Sequence, residues 1–162
     1  MSTFQLSDRM LAILRSYGWH EGRQVEIGGI KAFLTSRGIE VSPMAVDFLR
    51  EFHGLHLQLP NGGLPWVKFD VNEEMTFLEE GELDQLESLV KQPLCPVGLG
   101  GAFLLFITPS GEMIFLHDEW LLYLRARNVH DGFEIIRTLE FKDYQTIMLA
   151  DDQKPPAFRD AG

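Results

Sequence analysis

Cysteine and long apolar runs are scarce in this sequence. The single cysteine, Cys95, excludes an internal disulfide, and no second cysteine lies nearby to build a zinc site. We interpret it as a small buried hydrophobe before Pro96. The first residues, MSTFQLSDRMLAILRSYG, lack a signal-peptide core and cleavage site, and no later run is long enough to span a bilayer. These absences predict a cytoplasmic protein without a membrane segment.

Positive charge is also scarce. The chain has 14 Lys and Arg against 24 Asp and Glu, which gives a formal net charge of −10. Nucleic acid and anionic lipid would both be repelled by this field, so we expect no direct binding to either. An acidic protein of this kind suits a partner with a basic surface. The oligomeric state is left open.

Length and composition predict one domain. The 162 residues are 45% hydrophobic, which is enough for one core. We place a single domain at residues 1–150. Residues 151–162, DDQKPPAFRDAG, are rich in turn formers and charge and are expected to form a flexible tail.

Motifs for catalysis and cofactor binding are missing. Neither G-x-S-x-G nor G-x-x-x-x-G-K-[ST] occurs. Gly98, Gly100 and Phe103 occupy the positions of a dinucleotide fingerprint, but the third glycine is absent and a strand is expected to follow. We therefore predict no enzyme, no cofactor and no metal, and interpret this segment as a flexible entry to a hairpin.

Three early segments have the signals of helices. Ser7 and Ser42 are good N-caps, and Pro43 suits the first position of a helix. Gly38 and Gly54 are expected to end helices in a left-handed conformation, as is the Gly18-Trp19 pair.

The stretch FLREFHGLHLQLP, residues 48–60, contains two histidines beside Glu51. His53 is predicted to end a helix, where a cation is favoured by the dipole, and His56 to lie on the outer face of a strand. They point in unrelated directions, so a metal site is disfavoured. A small hydrolase that uses His53 or His56 with a carboxylate is the most distant alternative.

The rest of the chain alternates strands and helices. Apolar patterns predict strands in WVKFDV (66–71), AFLLFI (102–107), EMIFLH (112–117) and WLLYLRAR (120–127), and helices in ELDQLESLVKQ (82–92) and DGFEIIRTLEF (131–141). WLLYLRAR is either a third strand or an edge. Residues 142–150 are ambiguous between helix and strand.

Residues 70–87 carry acidic side chains without one Lys or Arg. The common interpretation is a solvated face that maintains solubility, and the functional one is a surface that steers and docks a basic partner. We predict that this surface binds the partner, with a second choice at the predicted hairpin and the loop after it. The predicted partner-binding residues are Asp70, Glu73, Glu74, Glu79, Glu80, Glu82, Asp84 and Glu87, and then Glu112, Asp118 and Glu119.

Two motifs carry a resemblance to a known family. They are GW-x-x-GR-x-V, beginning at Gly18, and FL-x-EF-x-GL, beginning at Phe48, and Pro96-Val97-Gly98 follows later. With these motifs the chain resembles the third clade of the SUKH superfamily of bacterial toxin-immunity proteins, over about residues 10–140.

The resemblance implies an α+β domain of Smi/Knr-like fold, with a mostly antiparallel sheet flanked by helices. It also implies a non-catalytic inhibitor that neutralises a cognate toxin, often a nuclease, of a polymorphic or contact-dependent toxin system. The alternative is a regulatory scaffold of the same fold that binds a cellular protein. The resemblance gives no role for Glu51.

Overall fold

The computed structural model describes residues 4–59, 62–139 and 144–159. Six helices and seven strands lie in these ranges. The helices are α1 (Asp8–Ser16), α2 (Gly28–Ser36), α3 (Pro43–Phe52), α4 (Val71–Met75), α5 (Glu82–Val90) and α6 (Val129–Thr138). The strands are β1 (His56–Gln58), β2 (Trp66–Lys68), β3 (Cys95–Gly100), β4 (Phe103–Ile107), β5 (Met113–His117), β6 (Leu122–Ala126) and β7 (Tyr144–Met148). No helix in the described ranges is long and apolar enough to cross a membrane.

All seven strands form one antiparallel sheet in chain order, β1 to β7. Each strand pairs with the one before it, so β1 and β7 are the two edges. The predicted hairpin joins β4 to β5, with Leu105 opposite Phe115. The α+β class with an antiparallel sheet flanked by helices is therefore confirmed.

Alternation along the strands gives the sheet two apolar faces. One face holds Leu105 and Phe115 and is covered by α1, α2, α3, α4 and α6. At the centre of this core four phenyl rings of Phe48, Phe52, Phe69 and Phe133 pack with centroids 4.8 to 6.0 Å apart. The opposite face holds Leu104 and Phe106 and is covered by α5 and Trp120. Two separate cores therefore hold the sheet between helices.

The predicted serine caps and glycine ends of the first three helices are confirmed, whereas α5 ends at Val90 instead of residue 92 and α6 spans Val129–Thr138 instead of residues 131–141. The hydroxyls of Ser7 and Ser42 accept N–H groups of the first turns of α1 and α3. After α1, the Trp19 N–H donates to the Leu14 carbonyl at 3.0 Å across Gly18, whose φ is +106°. This positive φ is a conformation that glycine adopts without steric cost, which explains the stop.

The chain turns from α3 into β1 as predicted. Gly54 has φ +91°, and its N–H donates to the Phe69 carbonyl at 2.8 Å. Leu55, Leu57 and Leu59 are buried, whereas His56 and Gln58 are exposed. Gly54 thus ends the helix and also joins β1 to the chain after β2.

Four predictions from the sequence need correction or completion. The flexible entry predicted at Gly98 to Gly101 is wrong, because residues 95–100 are the fully buried strand β3. The sequence patterns also missed the short helix α4. WLLYLRAR contains β6, an internal strand, and the ambiguous residues 142–150 contain β7, although 142 and 143 lie outside the described ranges.

Residues 151–159 form two short 3-10 turns, Asp151–Gln153 and Pro156–Phe158. The Gln153 carbonyl accepts a hydrogen bond from the Gln85 amide at 2.8 Å, and Phe158 contacts the second core at Trp120. Residues 160–162 lie outside the described ranges. The domain boundary at residue 150 and the flexibility of the tail stay predictions.

Candidate functional site

The acidic segment 70–87 runs from the end of β2 through α4 into α5. Asp70 caps α4, with Oδ1 accepting the Glu73 N–H at 3.0 Å. Glu73 in turn is 3.4 Å from the Lys68 ammonium, so its charge is partly neutralised. Asp70 and Glu73 therefore serve in part to hold α4 in place beside the sheet.

Two of the predicted surface carboxylates point inward, so the expectation that they lie on a solvated surface is wrong. Glu74 is 0% exposed, and its Oε1 accepts the Gly98 N–H at 2.7 Å. Glu82 is 5% exposed and accepts the indole N–H of Trp120 at 2.9 Å. The reason is tertiary: the free N–H groups of a strand and a buried indole each need an acceptor. Neither carboxylate is accessible to a partner.

Burial raises the pKa of Glu74 well above its usual value, and the Gly98 N–H only partly opposes this effect. Oε2 of Glu74 has no hydrogen-bond partner in the described part of the chain. The same carboxyl adds to burial in raising the pKa of the Cys95 thiol to about 12. Cys95 is thus the inert buried hydrophobe that the sequence predicted.

The exposed carboxylates gather around a groove between the end of α2 and the α4–α5 region. We call it the acidic groove; its volume is about 870 Å³. Its charged lining comprises Glu40, Glu79, Glu80, Asp84 and Glu87, with Arg37 and Lys91. Glu79, Glu80 and Asp84 are exposed, whereas Glu87 is half-buried and accepts the Leu94 N–H at 2.7 Å. The groove therefore keeps a net negative lining.

Glu40 belongs to the acidic groove although it lies far from segment 70–87 in sequence. It follows α2, and the fold brings this loop beside the α4–α5 region, where both line the groove. Sequence reasoning missed Glu40, and no local signal could have found it, because only the tertiary contact joins the two segments.

Phe77, in the loop after α4, is a second residue that sequence reasoning missed. Its side chain is 56% exposed, whereas its neighbour Leu78 packs against the second core. An available signal was an aromatic residue inside the acidic stretch TFLEEG. Exposed aromatic side chains beside charged groups are typical anchors of protein interfaces.

The second-choice residue Glu112 is occupied within the fold. Its carboxylate accepts the Arg125 guanidinium at 2.6 and 3.1 Å, and the Gln92 amide at 2.6 Å. The Arg125 bonds lower the pKa of Glu112. Gln92 lines the acidic groove, so Glu112 lies at the groove's end but contributes little free charge.

Asp118 and Glu119 lie at the other end of β5 and are exposed. Asp118 lies six residues after Glu112, which corresponds to roughly 20 Å at the usual rise of a strand. Asp118 and Glu119 precede Trp120, which bonds Glu82 at the start of α5. They therefore lie near the start of α5, and Glu112 lies near its end, where Arg125 also bonds the Val90 carbonyl.

Glu51, whose role the sequence left open, joins the two family motifs. Its Oε2 accepts the Trp19 indole N–H at 3.2 Å inside the first core. Arg23 donates to the backbone carbonyls of Glu51 and His53 at 2.6 and 2.7 Å. The motif residues thus close the end of α3 and hold the segment after α1 against it.

His53 is not the helix-end cation that the sequence favoured. Burial is the main effect that lowers its pKa, with the Arg23 charge adding to it and Asp70 opposing it. Arg23 supplies the cation at this end instead. In the described ranges no three His, Cys, Asp or Glu residues are grouped so that they could hold a metal ion.

A family model decides where the chain belongs. The model described as SUKH-3 immunity protein matches residues 6–137. The chain belongs to the SUKH-3 immunity protein family. The resemblance inferred from the two motifs is confirmed. No curated protein and no solved structure matches the chain.

This assignment separates two parts of the SUKH-3 protein. The motif residues Trp19, Arg23 and Glu51 are engaged with one another and with backbone carbonyls. The acidic groove lies beside α5, on charged side chains outside these motifs. The family motifs therefore identify the scaffold, and the groove is the candidate for what this member recognises.

Proposed function

We propose that this SUKH-3 protein is a non-catalytic, cytoplasmic immunity protein that neutralises a cognate toxin by binding it at the acidic groove. Membership in an immunity-protein family supports the class of function. The acidic groove supports the location, because Glu79, Glu80 and Asp84 are exposed with few cations beside them.

Phe77 is the observation that carries this proposal furthest. The ring is 56% exposed and precedes the exposed carboxylates of Glu79 and Glu80 by two and three residues, so one loop carries both an apolar anchor and steering charges. Interfaces gain most of their binding energy from a few such anchors, while surrounding charges raise the association rate. The partner chemistry that fits is a basic surface with an apolar depression, such as the substrate-binding rim of a nuclease.

The toxin is to be sought first in the neighbouring genes, because an immunity gene usually stands next to its toxin gene. Coexpression of that protein with the SUKH-3 protein should restore growth that the toxin alone abolishes. If the SUKH-3 protein instead binds a cellular protein and gives no protection against any toxin encoded nearby, the regulatory scaffold is favoured.

A charge-reversal triple variant of Glu79, Glu80 and Asp84 to Lys tests the groove. We expect association to fall from a steered rate toward the roughly 10⁵ to 10⁶ M⁻¹s⁻¹ of an unsteered pair, with little change in dissociation. Added salt should slow wild-type association through screening. Stopped-flow mixing at low and high salt measures both effects.

The matched control reverses three exposed carboxylates outside the groove, Asp8, Asp47 and Asp152, to Lys. It makes the same change in net charge and therefore separates local docking from the overall field. Equal slowing in both triple variants would show that the groove has no special role.

Phe77→Ala tests the apolar anchor separately from charge. We expect faster dissociation by about 30-fold, the effect of roughly 2 kcal/mol for a central anchor, with association nearly unchanged. Leu121→Ala is the control, since that side chain is also exposed, at 45%, but lies just before β6 and does not line the acidic groove. Unchanged dissociation of the Phe77 variant would place the anchor elsewhere.

A further inference from the structure

The strand β7 is an edge of the sheet that nothing in the described chain protects. It pairs with β6 along one side only. Natural edge strands are usually blunted by charge, proline, a bulge or very short length. The segment YQTIMLA, residues 144–150, has no charge and no proline, and its pairing with β6 is regular over five residues.

The other edge shows the contrast. β1 has three residues, and the carbonyl of Gln58 accepts the hydroxyl of Tyr17 at 2.8 Å. This bond occupies part of the outward backbone and places an aromatic ring beside it. β1 is therefore short and partly covered, whereas β7 has five residues and pairs only with β6 in the described ranges.

The backbone groups that β7 turns outward follow from its register. The Leu149 N–H donates to the Leu121 carbonyl at 3.1 Å. Hydrogen-bonded and non-hydrogen-bonded residue pairs alternate in antiparallel sheets. The backbone N–H and C=O groups of residues 145 and 147 therefore also point toward β6. The N–H and C=O groups of Tyr144, Thr146 and Met148 therefore point away from the sheet.

We propose that β7 pairs antiparallel with β7 of a second copy of this chain, joining two sheets about a two-fold axis at Thr146. The outward groups of residues 144, 146 and 148 are then the ones that form the new ladder. In this register Thr146 lies opposite Thr146 of the second copy, and Tyr144 opposite Met148. The pairing is self-complementary, as a two-fold interface requires.

Side chains on this strand support a second copy as the occupant. Met148 is 67% exposed, and the pairing would place it against the half-buried ring of Tyr144, a favourable sulfur–aromatic contact. The net charge of −10 opposes contact between two copies elsewhere, but this strand carries none of it. The acidic groove lies beside α5 and the end of α2, so both grooves would remain open in the dimer.

The position of Thr146 on the two-fold axis allows a decisive test. Sedimentation of the full chain should show a dimer that dissociates on dilution. Thr146→Lys and Thr146→Glu should each be monomeric, because like charges then lie directly opposite one another. A mixture of the two variants should recover the dimer mass, since Lys meets Glu across the axis.

Thr35→Lys is the control, because Thr35 is also exposed but lies on α2. It should remain dimeric, and all variants should keep the wild-type circular dichroism. A wild type that stays monomeric at the highest concentration would overturn the proposal. So would dimers of Thr146→Lys alone, or a mixture of the two variants that stays monomeric. None of these measurements involves a toxin, so they are independent of the proposed immunity function.

Discussion

The buried carboxyl of Glu74 should make the stability of the protein fall as pH rises above the acid range. The side chain is 0% exposed, and its pKa is raised because burial penalises the charged form. The folded state therefore binds the proton more tightly than the unfolded state does. The resulting stability is present in full below pH 4.5 and is lost as pH rises through the folded pKa.

The size of the effect follows from linkage. Between the two pKa values a single group changes the free energy of unfolding by up to about 1.4 kcal/mol per pH unit. The paired carboxylates Glu112 and Glu134 have lowered pKa values, so their contributions change below pH 4.5. The thiol of Cys95 titrates at about 12 and stays neutral over the same range.

His53 contributes a slope of the opposite sign. Its lowered pKa means that stability rises as pH increases toward 6.5 and the unfolded histidine loses its proton. The wild-type curve therefore contains both effects. Comparing wild type with Glu74→Gln removes the His53 slope, because the histidine is present in both proteins.

Glu74→Gln preserves shape and keeps an oxygen that can accept the Gly98 N–H. We expect the free energy of unfolding of this variant not to show the fall with pH that Glu74 causes in the wild type. The difference in free energy of unfolding between the variant and the wild type should therefore grow in the variant's favour as pH rises. Urea unfolding, followed by tryptophan fluorescence from about pH 5 to about pH 8, gives the free energy at each pH. Parallel curves for the two proteins would refute the reasoning, since they would mean that ionising Glu74 costs nothing in the fold.

The other predictions concern the helix end, the histidines and the C-terminal segment. Gly54→Val should lower the free energy of unfolding by roughly 1 to 3 kcal/mol, because a β-branched residue is strained at positive φ. An unchanged urea midpoint would contradict this. Replacing His53 and His56 together by Gln should cost about 1 kcal/mol or less and leave protection intact, because Nδ1 of His53 has no hydrogen-bond partner in the described ranges and His56 is exposed. A stoichiometric metal in the wild type that the double variant lacks would favour the hydrolase. Ending the chain at Ala150 should lower the melting temperature, because the following turns contact the second core. An identical melting temperature would support the flexible tail.

Local chemistry in the sequence determined where most elements begin and end. Ser42 and Pro43 start α3, and Gly54 ends it, because capping and positive φ depend on residues within one turn of the helix. The alternation of apolar and polar residues likewise located β1, and apolar runs on either side of a turn located the hairpin of β4 and β5. These signals need no knowledge of distant neighbours, so they can be recognised in the sequence alone.

The strand β3 could not be recognised in this way. Its glycines resemble a flexible loop, but they lie where strands crowd together. A Cβ on Gly98 would come within 2.5 Å of the Lys68 carbonyl, and one on Gly100 within 2.7 Å of the Trp66 carbonyl. The absence of side chains is therefore a requirement of close packing against β2. The sequence shows only the glycines and not the neighbour that demands them.

The acidic segment shows the same division. Its sequence determined that the charge is dense and uncompensated, and hence that a basic partner is suited to it. Only the tertiary structure decided that Glu74 and Glu82 are buried acceptors, while Glu40 joins the exposed carboxylates. The direction of a carboxylate depends on which unpaired N–H group the fold brings beside it. That neighbour is the Gly98 amide for Glu74 and the Trp120 indole for Glu82, each distant in the chain and near only after folding.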